Sequence, residues 1–437
     1  MDRPWRDSDY GPTISDAVSH DWKPLSAGRR RDSQFWIQRA ICLQELGYPD
    51  LALGDAHKAR SLAEAAFANA SLLGTKVRLS SAMAELAVDP QAWKQEANRE
   101  RRLASALKRA QRNAYDCLWT NLLRVGLLED MFDEIDGFRK YSNLPRSEVD
   151  RLPPLYKSWR SMTLASPVTD QVDPDDLVRN GSIQPRAYPW MDQDMIVRSR
   201  EVAESANATM RKDSASKCEV GQSPVKNEID VWGVFASKPI KKGDVFLIDK
   251  SMAVIDNRRS EGYCSCGKRL PTQPVKPPCC NRSFCSEQCA DRVLQTYHKV
   301  VCRKEFNFSN LPNEPGKRNR RYLETMLLIR LLAIITQHDK EHSNDDGHPL
   351  HGPIIKYLTP NYGAGQSAAW NFLDAIVHPT KILETLGVDV YADQRYDTWV
   401  LQTIRWRIAN NAFSAVDGDI ADVGYNGSKL LSQLSRE

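Results

Sequence analysis

The spacing of apolar and polar positions changes along the chain, and each change announces a different kind of structure. Residues 1–33 have no period; the stretch is polar, carries Pro4, Pro12, Pro24 and the basic run Arg29, Arg30, Arg31, and is expected to be a disordered tail. From Phe35 apolar residues recur every three or four positions on both sides of Gly47-Tyr48-Pro49, a helix stop followed by a helix start. A helical hairpin is the expected result. A second stretch, from Tyr115 through Trp119, Leu122 and Gly126 to Phe138, has the same layout, and the basic helix between the two (Arg99, Arg101, Arg102, Lys108, Arg109, Arg112) reads as a solvated face. Residues 34–142 are therefore assigned to helices. Periodicity fades over 143–225, where Pro145, Pro153, Pro154, Pro167, Pro174, Pro185 and Pro189 mark a connector, with a short strand at Cys218-Glu219-Val220. Over 226–260 the alternation shortens to two residues around Lys241-Lys242-Gly243-Asp244, which reads as strand, turn, strand. Helices follow at 321–335 and 397–409. The fold class expected is multidomain α+β.

Composition adds bounds rather than identity. A chain of 437 residues exceeds what one core usually supports, so more than one is expected. Its 41% apolar and 27% charged residues are those of an ordinary soluble protein, and 60 Lys and Arg against 56 Asp and Glu leave a net charge of only +4. Charge therefore gives no reason to expect direct nucleic-acid binding. The N-terminus mixes both signs and lacks an apolar stretch of signal-peptide length, and the most apolar segment, Met326 to Ile335, is short and interrupted by Arg330. No membrane partner and a nuclear or cytoplasmic location are expected. The basic runs at Arg29–Arg31 and at Lys317, Arg318, Arg320 and Arg321 permit nuclear import without establishing it.

The cysteines carry the chemistry. Seven of the ten lie between Cys264 and Cys302, where an even spread would place about one. The remaining three, Cys42, Cys117 and Cys218, are isolated and read as small buried hydrophobes. The order is Cys264-x-Cys266, Cys279-Cys280, Cys285-x3-Cys289 and His298-x3-Cys302, which supplies eight ligands, enough for two tetrahedral Zn²⁺ sites. A helix over Ala290 to Cys302 puts His298 and Cys302 on one face, and Cys285 and Cys289 have the same spacing at its start. Thiolates at this density repel one another unless a cation holds them. Eight protein ligands fill two sites and leave no open position, so the metals are expected to be structural. The adjacent pair leaves open which of Cys279 and Cys280 is the firmer ligand.

Two resemblances follow from these residues. Trp36, Ala40, Leu43, Gly47, Ala52 and Ala59 occupy the large, small and turn positions of a tetratricopeptide repeat, so the N-terminal helices resemble that family. The cysteine order over 261–304 resembles the MYND finger, whose cross-braced pattern implies that Cys264, Cys266, Cys285 and Cys289 hold one zinc and Cys279, Cys280, His298 and Cys302 the other. This chain departs from that finger in having one residue within the first pair, none within the second, and one extra residue between Cys289 and His298. The flanks extend the likeness. Val231-Trp232-Gly233-Val234-Phe235-Ala236 and the Lys242-Gly243 turn before the finger, the helices after it, and Asn411-Ala412-Phe413 resemble the order of SET-and-MYND lysine methyltransferases.

That family implies a partial, β-rich SET domain with the finger and a helical segment inserted (226–260 and 320–437), S-adenosylmethionine as cofactor, and a protein substrate such as a histone. Trp232, Gly233 and Asn411 would then line the cofactor pocket. Each has a second reading: Gly233 as a tight strand turn, Trp232 as core or interface, Asn411 as the end of its helix. The sequence contains no Asn-His-Ser-Cys segment, no later channel tyrosine and no cysteine after Cys302, and its first glycine is replaced by Val231. No catalytic residue is assigned, and the methyl-transfer domain is expected to be truncated near Gly424-Tyr425 and inactive. The competing reading is a zinc-binding adaptor for a protein or peptide partner.

Overall fold

The structure is a computed structural model that describes residues 32–84, 90–165, 232–244, 253–256, 268–306, 320–342 and 368–417. It also describes parts of 181–222, 262–267 and 347–358, and the strand 420–425. Residues 1–31, Val231, 245–252, Lys317 and Arg318, and the side chains of Arg99, Arg101 and Trp232, which entered the sequence reading, lie outside the described residues. The fold is mostly helical with minor β structure, and it divides into two units, Met1–Ser182 with Ala369–Val377, and Ile183–Ala368 with His378–Glu437. No helix among the described residues is long and apolar enough to cross a membrane.

The first unit opens with α1 (Ser33–Glu45), capped by Asp32, whose carboxylate accepts from Gln34 N at 3.0 Å. Gly47 ends it at φ +83°, with Gly47 N bonded to Gln44 O and Tyr48 N to Leu43 O, which is a Schellman cap. Pro49 then starts α2 (Pro49–Ala84), where its missing N–H costs nothing. The same cap recurs at Gly126 (φ +80°), between α3 (Pro90–Val125) and α4 (Leu128–Asp133). Then come α5 (Ile135–Tyr141), the single turn α6 (Arg146–Val149) and α7 (Leu152–Ala165).

Trp36 of α1 is almost fully buried, with the Lys58 ammonium 4.2 Å and the Arg39 guanidinium 4.7 Å from its ring centroid. Arg39 is also bidentate to the buried Asp55, at 2.6 Å through both nitrogens.

Two features of these helices stand beside the sequence expectation. The two helices of the first hairpin are unequal, α1 running 13 residues and α2 36, and α3 also runs 36, about 54 Å, so that α2 and α3 are each longer than a whole 34-residue tetratricopeptide unit. Alanine-rich sequence after Ala63 favours that continuation, and the basic helix read between the two repeat-like stretches is part of α3 itself. The connector also holds a helix, α7. Pro153 and Pro154 lie in its first turn, where proline loses no helical hydrogen bond.

In the second unit, β1 (Cys218–Gln222) pairs antiparallel with β2 (Trp232–Ala236), Gly221 facing Gly233. After the Lys242-Gly243 turn (Gly243 φ +94°), β3 (Ala253–Asp256) pairs with a different strand, β5 (Ile420–Tyr425), which is central between β3 and β4 (Ala412–Asp417). Among the described residues, β2 and β3 thus belong to separate sheets.

The helices of this unit are α8 (Glu287–Val293) in the cysteine-rich segment, α9 (Arg320–Glu341), α10 (His378–Leu386) and α11 (Thr398–Asn411). Two lysines secure the end of α10: Lys304 Nζ donates to Thr385 O at 2.6 Å and Lys340 Nζ to Leu386 O at 3.0 Å, satisfying terminal carbonyls at the negative end of the helix dipole. Arg407 of α11 is fully buried and donates to the carbonyls of Leu350, Ile355 and Met195, pinning irregular segments to the helix.

Candidate metal centre

Three local structures bring the cysteines together. Gly262, at φ +120°, permits a tight turn in which Leu270 N bonds Gly262 O (2.7 Å) and Cys264 N bonds Lys268 O (2.8 Å), placing Cys264 and Cys266 on one loop. A single antiparallel bridge between Val275 and Phe284 closes a second loop that carries Cys279 and Cys280, with Phe284 fully buried beneath it. Ser286 then caps α8, its hydroxyl accepting from Cys289 N at 3.2 Å, so that Cys285 precedes the helix and Cys289 stands in its first turn.

The ligand atoms fall into two groups that share no member. Cys264, Cys266, Cys285 and Cys289 form one, Cys279, Cys280, His298 and Cys302 the other, and within each the ligand atoms lie within 4.8 Å of one another. In the first, Cys266 Sγ is 3.6 Å and Cys289 Sγ 3.5 Å from Cys285 Sγ. In the second, His298 Nε2 is 3.3 Å from Cys279 Sγ and 3.4 Å from Cys280 Sγ, so both adjacent cysteines face the histidine. A tetrahedral zinc with ordinary bond lengths would separate sulfurs by about 3.8 Å and sulfur from nitrogen by about 3.6 Å. The donor types and their spacing fit two zinc ions. These are the same two sets that the cross-braced resemblance implies.

Electrostatics point the same way. Burial, then the neighbouring Cys289 thiol, push the Cys285 thiol up to about 12, and burial with Cys279 pushes Cys302 to about 11. Burial also raises Cys264, but hydrogen bonds from the backbone N–H groups of Cys266 and Cys285 outweigh it and the net direction is down. Burial, helped by Arg282, lowers His298, which keeps the imidazole neutral, the form that binds metal. Only a cation would let thiolates this close form together.

The helix that joins the two groups differs from the uninterrupted α-helix expected from sequence. After α8 the chain makes a π turn, Leu294–His298, before one closing α turn, Lys299–Val301. His298 lies nine positions after Cys289, which in an α-helix at about 100° per residue would put them on opposite sides. The π turn absorbs one residue and swings His298 back by roughly that angle. The extra residue in the Cys289–His298 gap is thereby accommodated within the helix. Beyond it, Cys302 N bonds His298 O at 2.8 Å, and Arg303, at φ +58°, reaches back to donate from Nε to Cys279 O at 2.9 Å.

Sequence reading missed the residues that hold this π turn. Gln337 of α9, almost fully buried, accepts from Lys299 N at 3.0 Å and donates to Leu294 O at 2.9 Å. Arg330 places its guanidinium 3.8 Å from the Tyr297 ring centroid. Glu341 accepts from Gln337 Nε2 (3.1 Å) and Lys299 Nζ (2.7 Å). The only signal available was the polar step Thr336-Gln337 at the end of an apolar run.

The residues assigned to a cofactor pocket sit on two separate elements. Trp232 and Gly233 are on β2, opposite Gln222 and Gly221. Asn411 is the last residue of α11, buried, with its amide nitrogen donating to Arg407 O at 2.7 Å. No family model, curated protein or solved structure matches this chain.

Proposed function

We propose that residues 264–302 bind two structural zinc ions as a MYND-like module, and that the chain is a SET-and-MYND relative in which this module is the docking scaffold for a protein partner. The observation that carries the reading is the pair of complete four-ligand clusters with no shared member. A catalytic zinc keeps one position open for water or substrate, whereas four protein ligands close it. The zinc here acts by tying the loop of Cys264 and Cys266 and the loop of Cys279 and Cys280 to one helix.

Lysine methyl transfer from S-adenosylmethionine, to a histone or another protein, is the chemistry that the resemblance implies for the family. It rests on the order of Trp232, Gly233, the finger and Asn411 in the sequence. Asn411 donates one amide hydrogen to Arg407 O at the end of α11.

Elemental analysis and isothermal calorimetry on the full chain test the two parts separately. Two zinc ions per chain and no heat on titration with S-adenosylmethionine are expected. Saturable micromolar binding of the methyl donor would overturn the scaffold reading in favour of a methyltransferase, and zinc-free protein of native helix content would overturn the metal assignment.

A further inference from the structure

We infer that Gln337, a residue of α9 outside the cysteine-rich segment, is the positioning residue of the site formed by Cys279, Cys280, His298 and Cys302, and sets how tightly that site alone holds its metal. The inference rests on the two-zinc reading above and adds which residue tunes one of the two ions.

The argument starts from the π turn. A π turn is a single extra residue in an α-helix, and it persists where something outside the helix holds the displaced backbone groups. Here Leu294 and Lys299 bracket the turn, five positions apart. The carboxamide of Gln337 touches both: Oε1 accepts the Lys299 N–H at 3.0 Å, and Nε2 donates to the Leu294 carbonyl at 2.9 Å. One amide group therefore spans the turn. Gln337 is 1% exposed, so water has little access to compete for these bonds. Its orientation is fixed in turn by Glu341, which accepts from Nε2 at 3.1 Å while holding Lys299 Nζ at 2.7 Å.

The turn lies between the ligands of the two clusters. Cys264, Cys266, Cys285 and Cys289 all precede it, whereas His298 and Cys302 are at and beyond its end. If the turn relaxed into α register, His298 and Cys302 would rotate by about 100° around the helix axis and shift by about 1.5 Å along it. Cys279 and Cys280, held on their own loop by the Val275–Phe284 bridge, would not follow. The four donors would then no longer converge. The first cluster, with its helical ligand Cys289 in the opening turn of α8, would keep its geometry. Residues that orient metal ligands in this way, without touching the ion, change affinity by roughly 10- to 100-fold when removed.

The test is Gln337→Met and Gln337→Glu in the full chain loaded with Co²⁺, whose absorption reports sulfur and nitrogen ligation. Chelator competition is followed at the thiolate-to-cobalt band, and circular dichroism reports the fold. In Gln337→Met one of two ions should be released roughly 10- to 100-fold more readily. The lost spectrum should be that of three sulfurs and one nitrogen, with the four-sulfur spectrum and its release unchanged. Gln337→Glu keeps the acceptor for Lys299 N–H and loses the donor to Leu294, so it should fall between wild type and Gln337→Met. Equal weakening of both ions, or of neither, in either variant with native circular dichroism would overturn the inference while leaving the two-zinc reading intact. Wild-type chain that takes up fewer than two cobalt ions would overturn both.

Discussion

Cys285→Ser and His298→Gln, made separately, should each weaken one metal site and leave the other unchanged. Cys285 stands centrally in its cluster, 3.6 Å from the sulfur of Cys266 and 3.5 Å from that of Cys289, and neither it nor its three companions belong to the group around His298. A structural zinc contributes an apparent binding free energy of about 10–16 kcal/mol, so an equal share among four ligands assigns about 3 kcal/mol to Cys285. Every 1.4 kcal/mol is about tenfold, so affinity at that site should drop roughly a hundredfold. Intact-mass spectrometry under native conditions, after equilibration with a chelator whose zinc affinity lies between the intact and the weakened site, would read two zinc ions in wild type and one in each variant. A chromogenic chelator would then remove the remaining ion at the wild-type rate. Cys285→Ser protein that keeps two zinc ions, released at the wild-type rate, would refute the ligand assignment. Departure of both ions together while helix content persists would refute the separation into two independent clusters.

Two predictions concern the scaffold. Arg407→Met should destabilise the second unit by about 3 kcal/mol in urea denaturation, because it strips donors from the buried carbonyls of Leu350, Ile355 and Met195. Arg407→Lys should recover part of the loss, and a change below about 0.5 kcal/mol would sink the idea. Asp130 of α4 accepts from Phe372 N at 3.1 Å, and burial, aided by the charges of Asp133, Asp374 and Glu129, raises it to about 7. Its folded-state value lies above its unfolded one, so its contribution is full at acid pH and is lost as pH rises toward 7. Asp130→Asn should therefore flatten the decline in stability between about pH 4 and 7 and raise the urea midpoint at pH 8; equal slopes in both proteins would exclude this account.

How much of this was legible in the sequence depended on the range of the interaction. Cysteine spacing is short-range information. Cys285 and Cys289, like His298 and Cys302, recur at four residues' separation, and the eight candidate ligands could be named without knowing the fold. The Schellman cap at Gly47 and the helix start at Pro49 were equally local. The π turn left one trace in the sequence, the extra residue between Cys289 and His298, but the apolar spacing of so short a segment does not say where that residue is absorbed, and only a partner from elsewhere selects it. That partner, Gln337, lies 38 positions after Lys299 and carries a side chain that in a helix reads as solvent-facing. Pro153 and Pro154 looked like breakers because proline is hostile to every helical turn except the first, and nothing in the connector marked where that turn would fall. The pairing of β3 with β5 rather than β2 spans more than 160 residues, and alternation along a strand says nothing of its neighbour.

The cysteine-rich segment has too little apolar interior to stand alone: Phe284, Ala290, Val293, Tyr297 and Val300 are its principal buried hydrophobes. Domains of roughly 40 residues or fewer usually need metal, disulfide or partner support, and this one is arranged to receive two of these at once. Metal ligation would tie the loops to α8 and the turn after it, whereas Gln337 and Arg330 tie that turn to α9. The second attachment continues into the rest of the unit, through Lys340 at the end of α10 and through Asp339, which accepts from Tyr396 at 2.9 Å. The π turn is the one stretch that belongs to both attachments. It carries His298 on the metal side and offers Leu294 O and Lys299 N to α9 on the other. A side chain on α9 is thus coupled to the candidate ligand His298 through a single helical turn, and metal, where bound, and helix packing should stabilise each other there, since each favours the register that the other requires.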